Sequence, residues 1–379
     1  MLRLAWSEPR LRPRLTALFV ALVFIPLYSG VTAAFYLLDE LSPSLRRVRI
    51  EKPVFVVGHA RSGTTLLHRL MVSDSEHFSF FLLYELLFPS LLQKRILRSI
   101  GAIDRKLFRS FFTQKLIAAE DEALEGARDM HHLGLFVPEE DDFVLTASCV
   151  SSTWVALFPG MPEFDVYYVD DWPEKRRRRV MRAYADGVRR QLCLSGPHKI
   201  HCSKNPSYSG RIESLIEQFP DARFVVMMRD PREAIPSLLK MLQKTWYSQG
   251  WSEARIERSI EALIANSVHT YLYPLEVLDR HPETKWAVVD YRELVSHPKA
   301  TVEAVYAALD LEMTPAVASA LDAEQRRARA HQSSHDYGLE EFGIDEEQLK
   351  RDLRQLFDRF HWDTSPKEQQ SLHTRSEHG

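Results

Sequence analysis

At 379 residues, 45% hydrophobic and 27% charged, the chain is long enough for one large α/β domain, alone or with an appendage. A net charge of −3 and a sequence pI near 6.6 leave no global nucleic-acid footprint. Cys149, Cys193 and Cys202 are widely spaced with no C-x-x-C, which speaks against a disulfide framework or a zinc site. Neither Asn205 nor Asn266 sits in a glycosylation acceptor. Together these features point to a cytosol-facing catalytic domain.

The first fourteen residues carry Arg3, Arg10, Arg12 and Arg14, and the next 24, Leu15 to Leu38, carry no charge. That run exceeds the length of about 18 that marks a transmembrane candidate. Pro26, Ser29, Gly30 and Thr32 interrupt it, so two half-helices of about 11 residues dipping into one leaflet are the alternative, each too short to cross. A cleaved signal peptide fits less well, because no small-residue exit precedes Asp39. A soluble helix packed on the domain is the remaining reading. Arg46, Arg47, Arg49 and Lys52 balance the upstream arginines, so the flanks set no orientation. The expected division is a membrane-associating segment over 1–49, a catalytic domain over 50–365 and a polar tail over 366–379.

Pro53–Leu70, PVFVVGHARSGTTLLHRL, reads as a buried strand, a glycine-bounded loop and a helix. In that geometry backbone N–H groups and a helix N-terminus converge on an anion. The spacing G-x4-G-T-T from Gly58 through Gly63 to Thr65 is that of a phosphate-binding loop, with Thr64 where an NTPase carries Lys. A smaller anion, with Arg61 supplying charge from inside the loop, fits better than a triphosphate.

Phe78–Pro89 is aromatic and apolar around one acid, Glu85, and Leu92–Ala127 reads as a helical insertion. His131 and His132 precede the acidic cluster Glu139-Glu140-Asp141-Asp142. A helix is expected over Glu174–Leu194, and its basic run from Lys175 to Arg179 reads as a solvated face. His198–Ser203 is a short strand ending in Lys204-Asn205-Pro206, followed by a helix from Ser209 to Phe219. Arg223–Met228 is an apolar strand, and Asp230-Pro231 opens a helix through Lys240. Trp246–Asp279 reads as one long helix and Trp286–Val289 as a further strand. Helices over Pro298–Leu309, Pro315–Arg329 and Asp345–Phe360 complete the chain. Strands alternating with helices predict an α/β fold, a parallel sheet flanked by helices.

In such sheets ligands bind at the carboxyl ends of strands. One end supplies Arg61, Ser62, Gly63, Thr64 and Thr65, a second Lys204, and a third Arg229 with Ser237 about two helical turns on. Two separated anion sites on one crevice suit a nucleotide phosphorylated at both ends of its ribose.

The blocks GHARSGTTLLHRL, SKNPSYSGRIESLIEQFPDARFVVMMRDPREAIPSLLK and VVDYRELVSHP, in this order between Pro53 and Leu309, resemble the PAPS-dependent sulfotransferases. They are most similar to the bacterial lipid and tyrosyl-protein sulfotransferase group. The resemblance implies transfer of a sulfuryl group from 3′-phosphoadenosine 5′-phosphosulfate (PAPS) to a hydroxyl. It places the 5′-phosphosulfate in the loop from Gly58 through Arg61, Ser62, Gly63, Thr64 and Thr65, and the 3′-phosphate on Arg229 and Ser237. Tyr291 would lie near the nucleotide, Lys204 would stabilise the transferring group, and Glu85 falls near the family's carboxylate base.

A sulfuryl group carries less negative charge than a phosphoryl group, so no metal is required, and positioning with charge neutralisation does the work. Glu140 and Asp142 are the rival bases, with loop or capping roles as the alternative; His131, His132 and His201 follow, with structural roles as theirs. His335-Asp336-Tyr337-Gly338 lies where related enzymes have a late contacting loop. The hydrophobic N-terminus points to a membrane partner and a lipid or other amphiphilic acceptor. The competing readings are a kinase or NTPase with Asp230 or Asp290 on magnesium, and a non-catalytic membrane scaffold.

Overall fold

The computed structural model describes residues 1–124, 134–148, 150–160, 166–328 and 338–363. Five parallel strands form the sheet: β1 (Val54–Gly58), β2 (Phe78–Ser79), β3 (Ile200–Lys204), β4 (Arg223–Met228) and β5 (Lys285–Asp290), in the order β2-β3-β1-β4-β5. Val54 stands opposite Cys202 on one side and Arg223 on the other. The central strands are apolar because both their faces are covered. Phe55, Val57, Phe224, Val226 and Met228 pack into one core layer; Val54, Val56, Val225 and Met227 pack into the other. Period-two alternation thus sorts a continuous hydrophobic run onto two faces.

The expected strands are present, and β2 is an addition, too short at two residues to register as a pattern. Several helix boundaries differ. The helix α5 that opens at Pro231 runs to Gln249 rather than Lys240 and stops at Gly250, whose φ is +83°. The long helix after it, α6, is therefore Glu253–Asp279. Asp345–Phe360 is two helices, Glu346–Asp352 and Arg354–Phe360, parted at Leu353. Leu92–Ala127 resolves into α3 (Leu91–Phe108) and α4 (Phe111–Leu124), turning at Arg109 and Ser110, both at positive φ.

The N-terminal apolar run is one continuous helix, α1 (Leu11–Asp39), 29 residues long. It does not divide at Pro26. It widens into a π turn over Val20–Phe24, where the Ile25 N–H reaches back to the Val20 carbonyl, just ahead of the proline. The helix is tied to the domain along its length. Arg10, at its start, donates to the Trp251 carbonyl at 2.9 Å. The Ser29 hydroxyl, midway, donates to the Ala147 carbonyl at 2.8 Å. Asp39, at its end and buried, accepts from the Leu91 and Leu92 amides and from Arg190 Nε at 2.8–2.9 Å. Asp39 thereby satisfies the N-terminal amides of α3, groups that no intrahelical bond can reach. Ahead of α1, the buried Glu8 pairs with the buried Arg255 at 2.8 Å.

Candidate active site

Three strands deliver their C-terminal ends to one crevice. At β1 the loop turns sharply because two glycines allow it. Gly58 has φ +137°, and a Cβ there would sit 2.3 Å from the Met227 carbonyl oxygen. Gly63, at φ +87°, caps α2 (Thr64–Met71), and its Cβ would meet the Tyr291 ring at 2.4 Å. Between them Arg61 holds a left-handed backbone, φ +70°, a conformation that costs a non-glycine residue of order 1–3 kcal/mol. The first amides of α2 have no intrahelical partner, and such groups are what an anion cradle draws on.

The loop is braced from below. The Ser209 hydroxyl bonds both the Gly58 amide and the Gly58 carbonyl at 3.0 Å. His59 is buried, with one ring nitrogen on the Ala60 carbonyl and the other 3.1 Å from Ser267 Oγ, and it stacks on Tyr271. Burial pushes its pKa down to about 4. His68 on α2 is likewise buried, against the Cys202 carbonyl, and burial with nearby Lys204 lowers it to about 3.

The residues expected at two separated anion positions are instead in direct contact. Arg61 Nε donates to Ser237 Oγ at 3.1 Å, and Arg229 Nη1 donates to the Arg61 carbonyl at 3.1 Å. The Arg229 guanidinium lies 4.6 Å from the centre of the Tyr291 ring and pairs with Glu233 at 2.9 Å. Arg61, Arg229, Ser237, Gly63 and Tyr291 are thus one contiguous set, with Ser62, Thr64 and Thr65 adjoining in the loop.

The acids at the ends of β4 and β5 are committed elsewhere. Asp230 caps α5 through the Arg232 amide and pairs with the Arg232 guanidinium at 2.7 Å. Asp290 repeats the arrangement with Arg292, again at 2.7 Å, and also accepts from Trp362 Nε1. Neither carboxylate is available as a magnesium ligand without dismantling its helix cap and ion pair.

Lys204, 1% exposed at the end of β3, finds both its partners in the acidic cluster: Glu140 at 3.1 Å and Glu139 at 3.4 Å. The cluster is mostly interior, and its carboxylates are divided among separate tasks. Asp141 accepts from Tyr184, Ser203 and His201, fixing the flank of β3. Asp142 accepts from Ser151 and Ser152 and faces the buried Arg211 at 3.6 Å, and burial raises its pKa. Of the four, Glu140 is the one with solvent access, its side chain 26% exposed. His201, held by Asp141 against Phe81, is a packing residue.

Glu85 lies on the segment that pairs with residues 135–139, and its hydrogen bonds go to other groups. It is the third residue of the short helix Leu83–Leu87 and accepts from the Leu82 amide ahead of that helix at 3.1 Å. It also accepts from Tyr84, Arg98 and Gln191 at 2.8–3.1 Å. Four donors on two oxygens fill the lone-pair positions a carboxylate has, and none comes from Lys204 or the loop. The remaining base candidates His131 and His132, and His335 to Tyr337, lie outside the described residues. Sequence reasoning missed Ser209, Glu139 and Glu233; Glu233 alone had a local signal, one turn beyond Arg229.

A model of the sulfotransferase family matches residues 53–315. The omega-hydroxy-beta-dihydromenaquinone-9 sulfotransferases Stf3 of Mycobacterium bovis and Mycobacterium tuberculosis are 27% identical over 275 residues, which are 69% of this chain and 63% of theirs. The matched stretch therefore spans less than two thirds of those relatives. Among solved structures, sulfotransferase STF9 from Mycobacterium avium superposes with a TM-score of 0.66 at 18% identity, covering 86% of this chain and 81% of that one. Sulfotransferase STF1 from Mycobacterium tuberculosis gives 0.60 at 22% identity, covering 83% and 79%.

Proposed function

As the chain belongs to the sulfotransferase family, we propose that it transfers the sulfuryl group of PAPS to a hydroxyl of a lipid or another hydrophobic acceptor. The observation that carries the reading is the junction of Arg61, Ser237 and Arg229. It sets two cationic, hydrogen-bonding positions side by side at the end of one crevice, as a donor phosphorylated at both ends of its ribose demands. The loop amides and Arg61 would take the 5′ end, Arg229 and Ser237 the 3′-phosphate, and Tyr291 would support the nucleotide from below Gly63.

Lys204 would neutralise charge that builds on the transferring group and the bridging oxygen. For the base we favour Glu140 over Glu85. Glu140 stands 3.1 Å from Lys204 and has solvent access, whereas every oxygen of Glu85 is engaged. Glu140 would take the proton from the acceptor hydroxyl as its oxygen attacks sulfur. The bond from sulfur to the phosphate oxygen breaks, and adenosine 3′,5′-bisphosphate leaves.

We also infer that the protein sits on a membrane surface with α1 in the plane rather than across it, the catalytic domain on the cytosolic side. The ties of Arg10 and Asp39 to one domain at opposite ends of α1 support this. So does a second apolar stripe, Leu92, Ile96, Ile100, Ile103 and Leu107 on α3, exposed next to α1. The test is labelled PAPS with membrane lipid extract. Transfer by wild type and its loss in Arg61→Ala is expected; no transfer to any lipid or alcohol by wild type would count against the reaction.

A further inference from the structure

Between α1 and the domain lies a cavity of about 470 Å³. Its outer wall is one face of α1, Thr16, Val20 and Phe24, spaced four residues apart; its inner wall includes Leu86, Phe143 and Trp154. Arg12, at one end, is its single charged lining residue among those described. Close-packed interiors leave few voids larger than a water molecule, and a largely apolar space of this size falls in the range of ligand pockets.

Two features identify the occupant. First, α1 is long and apolar enough to cross a bilayer, and its other face exposes Leu22, Leu27 and Leu37. With α1 on the membrane surface as proposed, one helix would separate the cavity from the hydrocarbon. Second, its inner wall adjoins the segment of the proposed base: Phe143 closely follows Glu139 and Glu140, the partners of Lys204. A chain lying in the cavity would have its end directed to the segment that carries the proposed base.

We propose that this cavity binds the hydrocarbon chain of a bilayer lipid, so that α1 is a wall of the acceptor site as well as an anchor. The inference rests on the sulfotransfer reading for its identification of the chain as the acceptor's. Trp154 and Trp251 line the cavity and report on it directly.

The experiment is tryptophan quenching of the full chain, in nanodiscs of unbrominated lipid, by a dibrominated hexadecanol. Saturable quenching is expected in wild type. Filling the cavity with Thr16→Phe/Val20→Phe from the α1 side, or with Thr146→Phe from the domain side, should weaken it about tenfold or more, about 1.4 kcal/mol. Leu22→Phe, on the outer face, should leave it unchanged, and binding of adenosine 3′,5′-bisphosphate to every variant serves as the folding control. Absent or unsaturable quenching, or quenching in both filled variants equal to that of wild type, overturns the proposal. Saturable quenching without sulfation of any alcohol would leave the cavity standing and remove the reaction. Sulfation indifferent to chain length and to filling would do the reverse.

Discussion

Arg229 donates its Nη1 hydrogen to the carbonyl oxygen of Arg61 at 3.1 Å. The residue that follows β4 thereby holds the middle of the loop that follows β1, and in the proposed site the same guanidinium would also supply charge to the neighbouring anion position. The remaining nitrogens of Arg229 rest on Glu233, an exposed carboxylate that an incoming phosphate can replace.

Arg229→Ala should therefore weaken adenosine 3′,5′-bisphosphate binding about 10- to 100-fold, the loss expected for hydrogen bonds to a charged group at 1.5–3 kcal/mol. Arg229→Lys keeps the charge and loses the fork, so it should recover only part. Isothermal titration calorimetry checks both, and equal affinity in all three proteins would remove Arg229 from the site.

Lys204→Met leaves Glu139 buried without its cation, and breaking a buried pair in this way costs about 3–5 kcal/mol. Adding Glu139→Gln should return much of the stability in urea denaturation without returning sulfotransfer. Recovery of both would make Lys204 a packing residue.

Glu140→Gln is expected to lower kcat by about 10²–10⁴, the range for a lost general base, with little change in unfolding midpoint. Glu85→Gln should do the opposite, lowering stability because Arg98, Tyr84 and the Leu82 amide lose their acceptor geometry. A larger kcat loss in Glu85→Gln would return the base to that position.

His59 and His68 are held neutral by burial, at about 4 and about 3 against an ordinary 6.5. Below pH 6.5 the unfolded chain takes up protons that these folded-state histidines refuse. Their contribution is complete above pH 6.5, falls as pH drops, and levels off below about 4 for His59 and about 3 for His68. The slope is up to about 1.4 kcal/mol per pH unit for each. The double variant His59→Gln/His68→Gln should flatten urea-denaturation stability between pH 6.5 and 4.5 relative to wild type. Parallel slopes would contradict the assignment.

The loop and the positions of the arginines proposed to face the nucleotide were legible in the sequence because their signals are local. Gly58 and Gly63 mark the turn, an apolar run marks each central strand, and Arg229 follows its strand directly. The acidic cluster was not legible, since four successive acids look solvated until Lys204, His201 and Arg211, 60 or more residues on, are packed against them. Asp39 reads as the polar end of a hydrophobic run, and its capping of α3 depends on a contact 52 residues away. Glu85 sat at a plausible distance from the loop, but what surrounds a carboxylate is decided by tertiary contacts, here Arg98 and Gln191.

The most direct measurement compares adenosine 3′,5′-bisphosphate with adenosine 5′-phosphate by calorimetry on wild type, Arg61→Ala and Arg229→Ala. A two-ended grip predicts that wild type favours the bisphosphate by about tenfold or more, that Arg229→Ala erases the preference, and that Arg61→Ala weakens both ligands. Equal affinity of the wild-type protein for the two nucleotides, or tighter binding of magnesium ATP than of either, would contradict it.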